Sequence, residues 1–102
     1  MVQLVELGEL NWKRVLTSDG VEIGRLEGGK VDTKTWRVTH VNIGLNDQAL
    51  IQFDLKKPFL GRILICLPVD MIKSVNDTVT LEQSLEELKE SKECKEFIVR
   101  NC

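Results

Sequence analysis

Between residues 13 and 81 the chain alternates short apolar runs with turn-forming residues. Val15-Leu16 and Val21-Glu22-Ile23 lie on either side of Ser18-Asp19-Gly20. Asp followed by Gly indicates a tight hairpin, because glycine adopts the positive φ that such turns require. Further apolar runs end at Leu45, Leu67, Val75 and Leu81. This spacing of short runs and turns predicts a mainly β protein.

Two of the predicted strands change their hydrophobic phase midway. Trp36 and Val38 fall on one face of an alternating strand, whereas Val41 and Ile43 fall on the other. A similar change in the preceding strand occurs at Gly24. Side chains alternate between faces along a strand, so each change predicts a bulge or a strand covered on both sides. Either arrangement suits a strongly bent sheet.

Helical signals occur at two places. Asn46-Asp47 predicts the cap of a short helical turn that runs through Phe53. Ser84-Leu85-Glu86-Glu87 is a capping box, in which the Ser84 hydroxyl and the Glu87 carboxylate each accept from a free backbone N–H. Lysines follow later, where the helix dipole favours them. We therefore expect a helix after Ser84, regular to about Lys92.

The length of 102 residues favours a single domain. We divide the chain into a lead-in at residues 1–9, a β-barrel domain at 10–83, and a C-terminal helix and tail at 84–102. The lead-in has no clean period, so it is either a strand broken at Gly8 or an irregular segment.

The composition argues for a protein of the cytoplasm that does not grip nucleic acid. Fourteen Lys and Arg residues against sixteen Asp and Glu residues give a formal charge of −2, whereas nucleic-acid binding proteins usually carry a positive excess. No apolar run approaches the roughly 18–20 residues of a membrane span, and no signal peptide is evident.

Few residues suggest chemistry. His40 is the single histidine, and a structural role at a strand bend is the simplest interpretation. Cys66, Cys94 and Cys102 form neither a zinc-site spacing nor a disulfide framework, and Cys66 is expected to be buried. Gly28-Gly29-Lys30 lacks the rest of a phosphate loop, so a strand break and hairpin are expected there. We therefore expect no enzymatic activity, metal or cofactor.

An ordered set of segments resembles the PRC-barrel family. In that family an Asp-Gly turn is followed by an Ile-Gly-Arg/Lys-hydrophobic signature, and this chain has Ile23-Gly24-Arg25-Leu26 after Asp19-Gly20. Residues 35–41 are similar to the next strand, and residues 68–81 to the closing part. Ser84-Leu85-Glu86-Glu87-Leu88 is similar to the tail of the short archaeal members. The resemblance extends over most of the chain.

The resemblance implies a six-stranded, partly open β-barrel with a short C-terminal α-helix. Similar barrels occur in the H subunit of the photosynthetic reaction centre and in the C-terminal domain of the ribosome maturation factor RimM. Short stand-alone archaeal members include proteins implicated in cell division as partners of the membrane-anchored protein SepF. The family has no shared catalytic residues to carry over to this chain.

These observations lead us to expect a protein–protein interaction module. It is predicted to be an archaeal adaptor that forms a homodimer, or a heterodimer with a paralogous PRC-barrel protein, and that acts in cell division with a partner such as SepF. The predicted contact residues are Phe59, Leu60, Phe97 and Ile98, for each of which a place in the local core is the alternative.

An RNA-processing or ribosome-maturation accessory of the RimM type is the alternative function. It depends on the cluster formed by Lys56, Lys57 and Arg62, and it predicts binding that weakens steeply with salt.

Overall fold

The computed structural model describes residues 4–56 and 63–90, together with the backbone of residues 98–100. The strands in this part of the chain are β1 (Arg14–Leu16), β2 (Glu22–Asp32), β3 (Arg37–Leu45), β4 (Ile63–Pro68), β5 (Ile72–Val75), β6 (Val79–Leu81) and β7 (Ile98–Arg100). The helices are α1 (Leu7–Leu10), α2 (Asp47–Gln52) and α3 (Leu85–Glu90), with a 3₁₀ turn at Val69–Met71.

The strands form one mixed sheet in the order β5-β6-β1-β2-β3-β4-β7. β1 pairs in parallel with β6, and the other neighbours are antiparallel. The prediction of a mainly β, six-stranded architecture is confirmed by β1 to β6, to which β7 adds a short strand. The sheet is not closed into a barrel, because β4 pairs with β7 at one end of the order and β5 lies at the other.

The core lies on one side of this sheet. Its fully buried residues include Ile23, Ile43, Ile65 and Leu81, and Leu88 of α3 packs among them. α2 contributes Ala49 and Leu50, and its predicted cap is confirmed by a 2.8 Å hydrogen bond from Ala49 N to Asn46 Oδ1.

The predicted bulges are confirmed. The β1–β2 register shifts between Val15 and Leu16, opposite Gly24, as the phase change indicated. The β2–β3 register shifts between Leu26 and Gly29, and again between Lys30 and Val31. The expected strand break at Gly28-Gly29 is wrong, because the bulge, with Gly28 at a φ of 91°, accommodates the extra residues within β2.

The N-terminal segment differs from the broken-strand interpretation. Residues 7–10 form the single turn of α1, which the mixed hydrophobic pattern did not indicate. Leu10 packs against the core, whereas Leu7 remains largely exposed. The described part of the lead-in is therefore irregular, and the helical turn of α1 begins within it.

The C-terminal helix begins as predicted, and the expected extent to Lys92 lies outside the described residues. Glu87 N donates to Ser84 Oγ at 3.2 Å and Ser84 N donates to Glu87 Oε1 at 2.9 Å, which confirms the capping box. α3 is described to Glu90, and Ile98 lies in β7 rather than at the end of a helix, because its backbone pairs with Ile65 of β4. No helix in the described residues is long and apolar enough to cross a membrane.

Gly24 and Gly44 allow β2 and β3 to approach closely at the bulge. A Cβ added to Gly24 would lie 2.0 Å from the carbonyl oxygen of Gly44, so the two backbones would have to separate. We expect Gly24→Ala to lower the free energy of unfolding by about 1–3 kcal/mol. Gly8→Ala is the matched control, since no atom lies within 4 Å of its added Cβ. Urea unfolding measures both, and a wild-type midpoint for Gly24→Ala would contradict the prediction.

The Asp19 carboxylate joins the β1–β2 turn to α3. It accepts from the Thr17 hydroxyl and, at 3.2 Å, from Leu85 N. The hydroxyl, with the backbone N–H groups of Asp19 and Leu85, lowers the pKa of this carboxyl below its ordinary value of 3.8. A lowered folded-state pKa stabilises the fold above the unfolded value, and this stabilisation is lost as the pH falls through the folded value.

We therefore expect Asp19→Ala to lower the urea midpoint at pH 7 and to differ less from the wild type at pH 3. Asp19→Asn serves as the control, because the amide oxygen still accepts hydrogen bonds but does not titrate in this range. An Asp19→Ala deficit of equal size at both pH values would show that the carboxylate charge is not involved.

Candidate interaction surface

Of the predicted contact residues, Ile98 falls within the part of the chain that the structure describes. Phe59, Leu60 and Phe97 lie outside the described residues, as do Lys57 and Arg62 of the basic cluster. Ile98 is placed in β7, beside β4, by its backbone alone. The candidate surface in the described part of the chain is formed by other residues.

The distal halves of β2 and β3 form a hairpin arm, residues 29–40, that extends beyond the core. None of its residues is buried. Val31 pairs with Val38 and Asp32 with Arg37 across the two strands. The arm carries three cations, Lys30, Lys34 and Arg37, against one carboxylate, Asp32. It is thus a basic and partly apolar projection on a chain whose net charge is negative.

The arm tip, residues 33–36, is held in a defined turn. Asp32 Oδ1 accepts from Lys34 N at 2.8 Å and from Thr35 N at 3.4 Å, and Trp36 N donates to Asp32 O at 2.7 Å. Trp36 has a φ of 58° and is 77% exposed. The left-handed conformation costs a non-glycine residue about 1–2 kcal/mol. The fold therefore presents this indole to solvent, although neither burial nor backbone preference favours it there.

An apolar groove of about 220 Å³ lies between α1 and the base of the arm. It is lined by Leu7, Leu10, Asn11, Leu26, Gly28, Gly29, Val31, Val38 and Val41. Asn11 fixes the lead-in against β2, because its Oδ1 accepts from Gly28 N at 3.0 Å. Leu7 is 69% exposed and Val31 is 44% exposed. Apolar side chains that are grouped and exposed in this way often mark a contact with another molecule.

The bulges explain why the groove continues onto the arm. Val38 and Val41 are three residues apart and would lie on opposite faces of a regular strand. The register shift between them brings both to the wall of the groove. The groove is thus the outward continuation of the core face of the sheet. The phase change visible in the sequence was the available signal for Val38, whereas Leu7 depended on a helix that the pattern did not indicate.

Unpaired charges lie at the two ends of this surface. Lys34 and Arg37 at the tip form no side-chain hydrogen bond or ion pair with any described residue, and the same is true of Glu6 and Glu9 beside the groove. Nearby cations have other contacts. Lys13 Nζ donates to Asn76 O at 2.8 Å and Arg25 donates to Trp12 O at 2.9 Å. The tip is therefore basic and the α1 end of the groove is acidic.

Lys30, the third cation of the arm, contacts Cys66 of β4, because its Nζ lies 3.3 Å from Cys66 Sγ. Cys66 is 1% exposed, which confirms the predicted burial of this cysteine.

His40 lies beside the bulge in β3, with its Nδ1 2.9 Å from Thr39 Oγ1. Within the described ranges, no three His, Cys, Asp or Glu side chains are grouped closely enough to hold a metal ion.

No model of a known protein family matches the chain, and none of the curated proteins is significantly similar to it. The surface must therefore be interpreted from its own geometry: an apolar groove, an exposed indole on a preformed turn, and opposite charges at its two ends. This arrangement is suited to binding another macromolecule.

The position of Cys66 under Lys30 predicts that its thiol is protected in the native state. In a Cys94→Ser/Cys102→Ser variant, alkylation of Cys66 by iodoacetamide should be at least about 100-fold slower in buffer than in urea, since access requires the sheet to open. Peptide mass spectrometry measures the rate. Equal rates in the two conditions would show that β4 is accessible from this face.

Proposed function

We propose that this protein is a non-enzymatic interaction module of the PRC-barrel type. The observation that carries the proposal is the apolar groove with the arm beside it. Leu7 and Val31 are exposed at the groove although Leu26 and Val41 in its wall are buried, so the surface is a continuation of the core that no described residue covers. Burial of such a surface in a complex is favourable.

The family assignment within this proposal is supported by the order of the sequence segments and by the mainly β sheet. Ile23-Gly24-Arg25-Leu26 follows the Asp19-Gly20 turn, and Gly24 lies at the β1–β2 bulge, with the Gly44 backbone of β3 close on its other side. The close approach of Gly44 to Gly24 supports a requirement for glycine at this position of the signature. The open order of the sheet is a departure from a fully closed barrel.

Within this family the proposed role is that of an archaeal adaptor. It pairs with a second PRC-barrel chain and binds a division protein such as SepF at the apolar groove. The groove supplies apolar contact area, and the carboxylates of Glu6 and Glu9 at its α1 end supply orientation. The proposal concerns binding alone and requires no cofactor.

The test measures binding to two purified proteins of the same source, the SepF-type protein and a paralogous PRC-barrel protein, by isothermal titration calorimetry. We expect Leu7→Asp to weaken binding by at least about 10-fold, because it places a carboxylate in an apolar contact. Ile51→Asp is the matched control, since Ile51 is 74% exposed on α2, away from the groove. Both variants should unfold at the wild-type urea midpoint.

Two results would contradict the proposal. If the chain binds neither the SepF-type protein nor the paralogous PRC-barrel protein, the adaptor role is contradicted. Binding to ribosomal RNA that falls steeply between 50 and 200 mM salt, as phosphate contacts require, would favour the RNA-processing alternative.

A further inference from the structure

The arm tip and the groove are complementary in charge, and an apolar side chain on the one matches an apolar cleft in the other. The tip presents one large apolar side chain, Trp36, next to the cations Lys34 and Arg37, which have no ion-pair partner among the described residues. The groove presents an apolar cleft next to the carboxylates of Glu6 and Glu9, for which the same is true. An indole fills an apolar cleft with little loss of conformational freedom, and opposite charges at the rim set its orientation.

Within one copy Trp36 does not occupy the groove. It is 77% exposed and is not among the described residues that line the cleft. The groove is therefore open to a tip from a second copy. We propose that the groove of one copy receives the arm tip of a second copy, in a two-fold symmetric dimer that forms the same contact twice.

The position of the Val31–Val38 pair on the arm is compatible with two-fold symmetry. The Val31–Val38 pair lies between the tip and the inner end of the groove, on the groove side of the sheet. When two arms lie antiparallel with these pairs in contact, each tip lies over the α1 end of the other copy. A two-fold axis near the valine pairs makes the surface self-complementary, as a closed dimer requires.

The tip is preorganised for this contact. The Asp32 turn holds Trp36 in its left-handed conformation before association, so little ordering remains to be done on binding. Two Trp36 side chains bury about 300–500 Å² between them, against the roughly 1,200 Å² at the lower end for specific complexes. The dimer is accordingly of modest size and in reversible exchange with the monomer.

This inference rests on the proposed function, because it names the first occupant of the same groove. It has a consequence for the adaptor role: a second copy and a partner protein compete for one surface. Loss of the tip therefore releases the groove, whereas loss of the groove removes both kinds of binding.

The first experiment is sedimentation velocity of the full chain from about 5 µM to 1 mM, a range that brackets a weak complex. We expect a concentration-dependent dimer for the wild type and for Ile51→Ala, and a monomer for Trp36→Ala throughout. Trp36 and Ile51 are both largely exposed, so neither change should alter the urea midpoint. A wild type that stays monomeric, or a Trp36→Ala protein that dimerises like the wild type, would overturn the inference.

The second experiment is a charge exchange between tip and groove. Lys34→Glu alone and Glu9→Lys alone should each weaken the dimer by about 10-fold, and the double variant should restore it. Restoration indicates contact between copies, because neither side chain has an ion-pair partner among the described residues of its own copy. Failure of the double variant to recover the dimer would overturn the pairing of Lys34 with Glu9.

A third measurement separates this inference from the proposed function. Trp36→Ala should bind the partner protein at least as tightly as the wild type, whereas Leu7→Asp should lose both the partner and the dimer. A monomeric wild type that binds its partner through Leu7 would leave the proposed function standing and remove the dimer. A dimer that depends on Trp36, in a protein that does not bind the partner, would support the dimer and contradict the proposed function.

Discussion

The pairing of β2 with β3 is the interaction on which the rest of the structure depends. β2 and β3 are the two longest strands that the structure describes. β2 also pairs with β1, and β3 also pairs with β4. Their inner halves contribute residues to the centre of the core, whereas their outer halves extend beyond the core as the hairpin arm. The same ladder thus determines what is buried and what is presented to solvent. Its bulges decide where one role changes into the other.

The sequence predicted the fold where the signal was local. The Asp19-Gly20 turn, the bulge at Gly24 and the Ser84 capping box each depend on residues that are neighbours in the chain. The strand break expected at Gly28-Gly29 was wrong because paired glycines suit a bulge as well as a turn, and the choice depends on the partner strand.

The candidate site was less predictable than the fold. Leu7 becomes part of a surface only because a single helical turn places it against β2, and one turn has too few residues for a periodic signal. The sequence pattern does not distinguish Val31 from other apolar strand residues. Its register with β3 places it beyond the core. Phe59 and Leu60 are predicted from their place in a loop, and because they lie outside the described residues this stays a prediction.

The one parallel pair in the sheet has a consequence for how the chain reaches this structure. Val15 of β1 pairs with Val79 of β6, near the opposite end of the described chain. Contacts between such distant residues form slowly, because the intervening chain loses entropy when its ends meet. During synthesis from the N-terminus, the β1–β2–β3 meander therefore exists before β6 has emerged. Until then the outer edge of β1 is an open template for strand addition, and fast completion of β6 protects the nascent chain from aggregation.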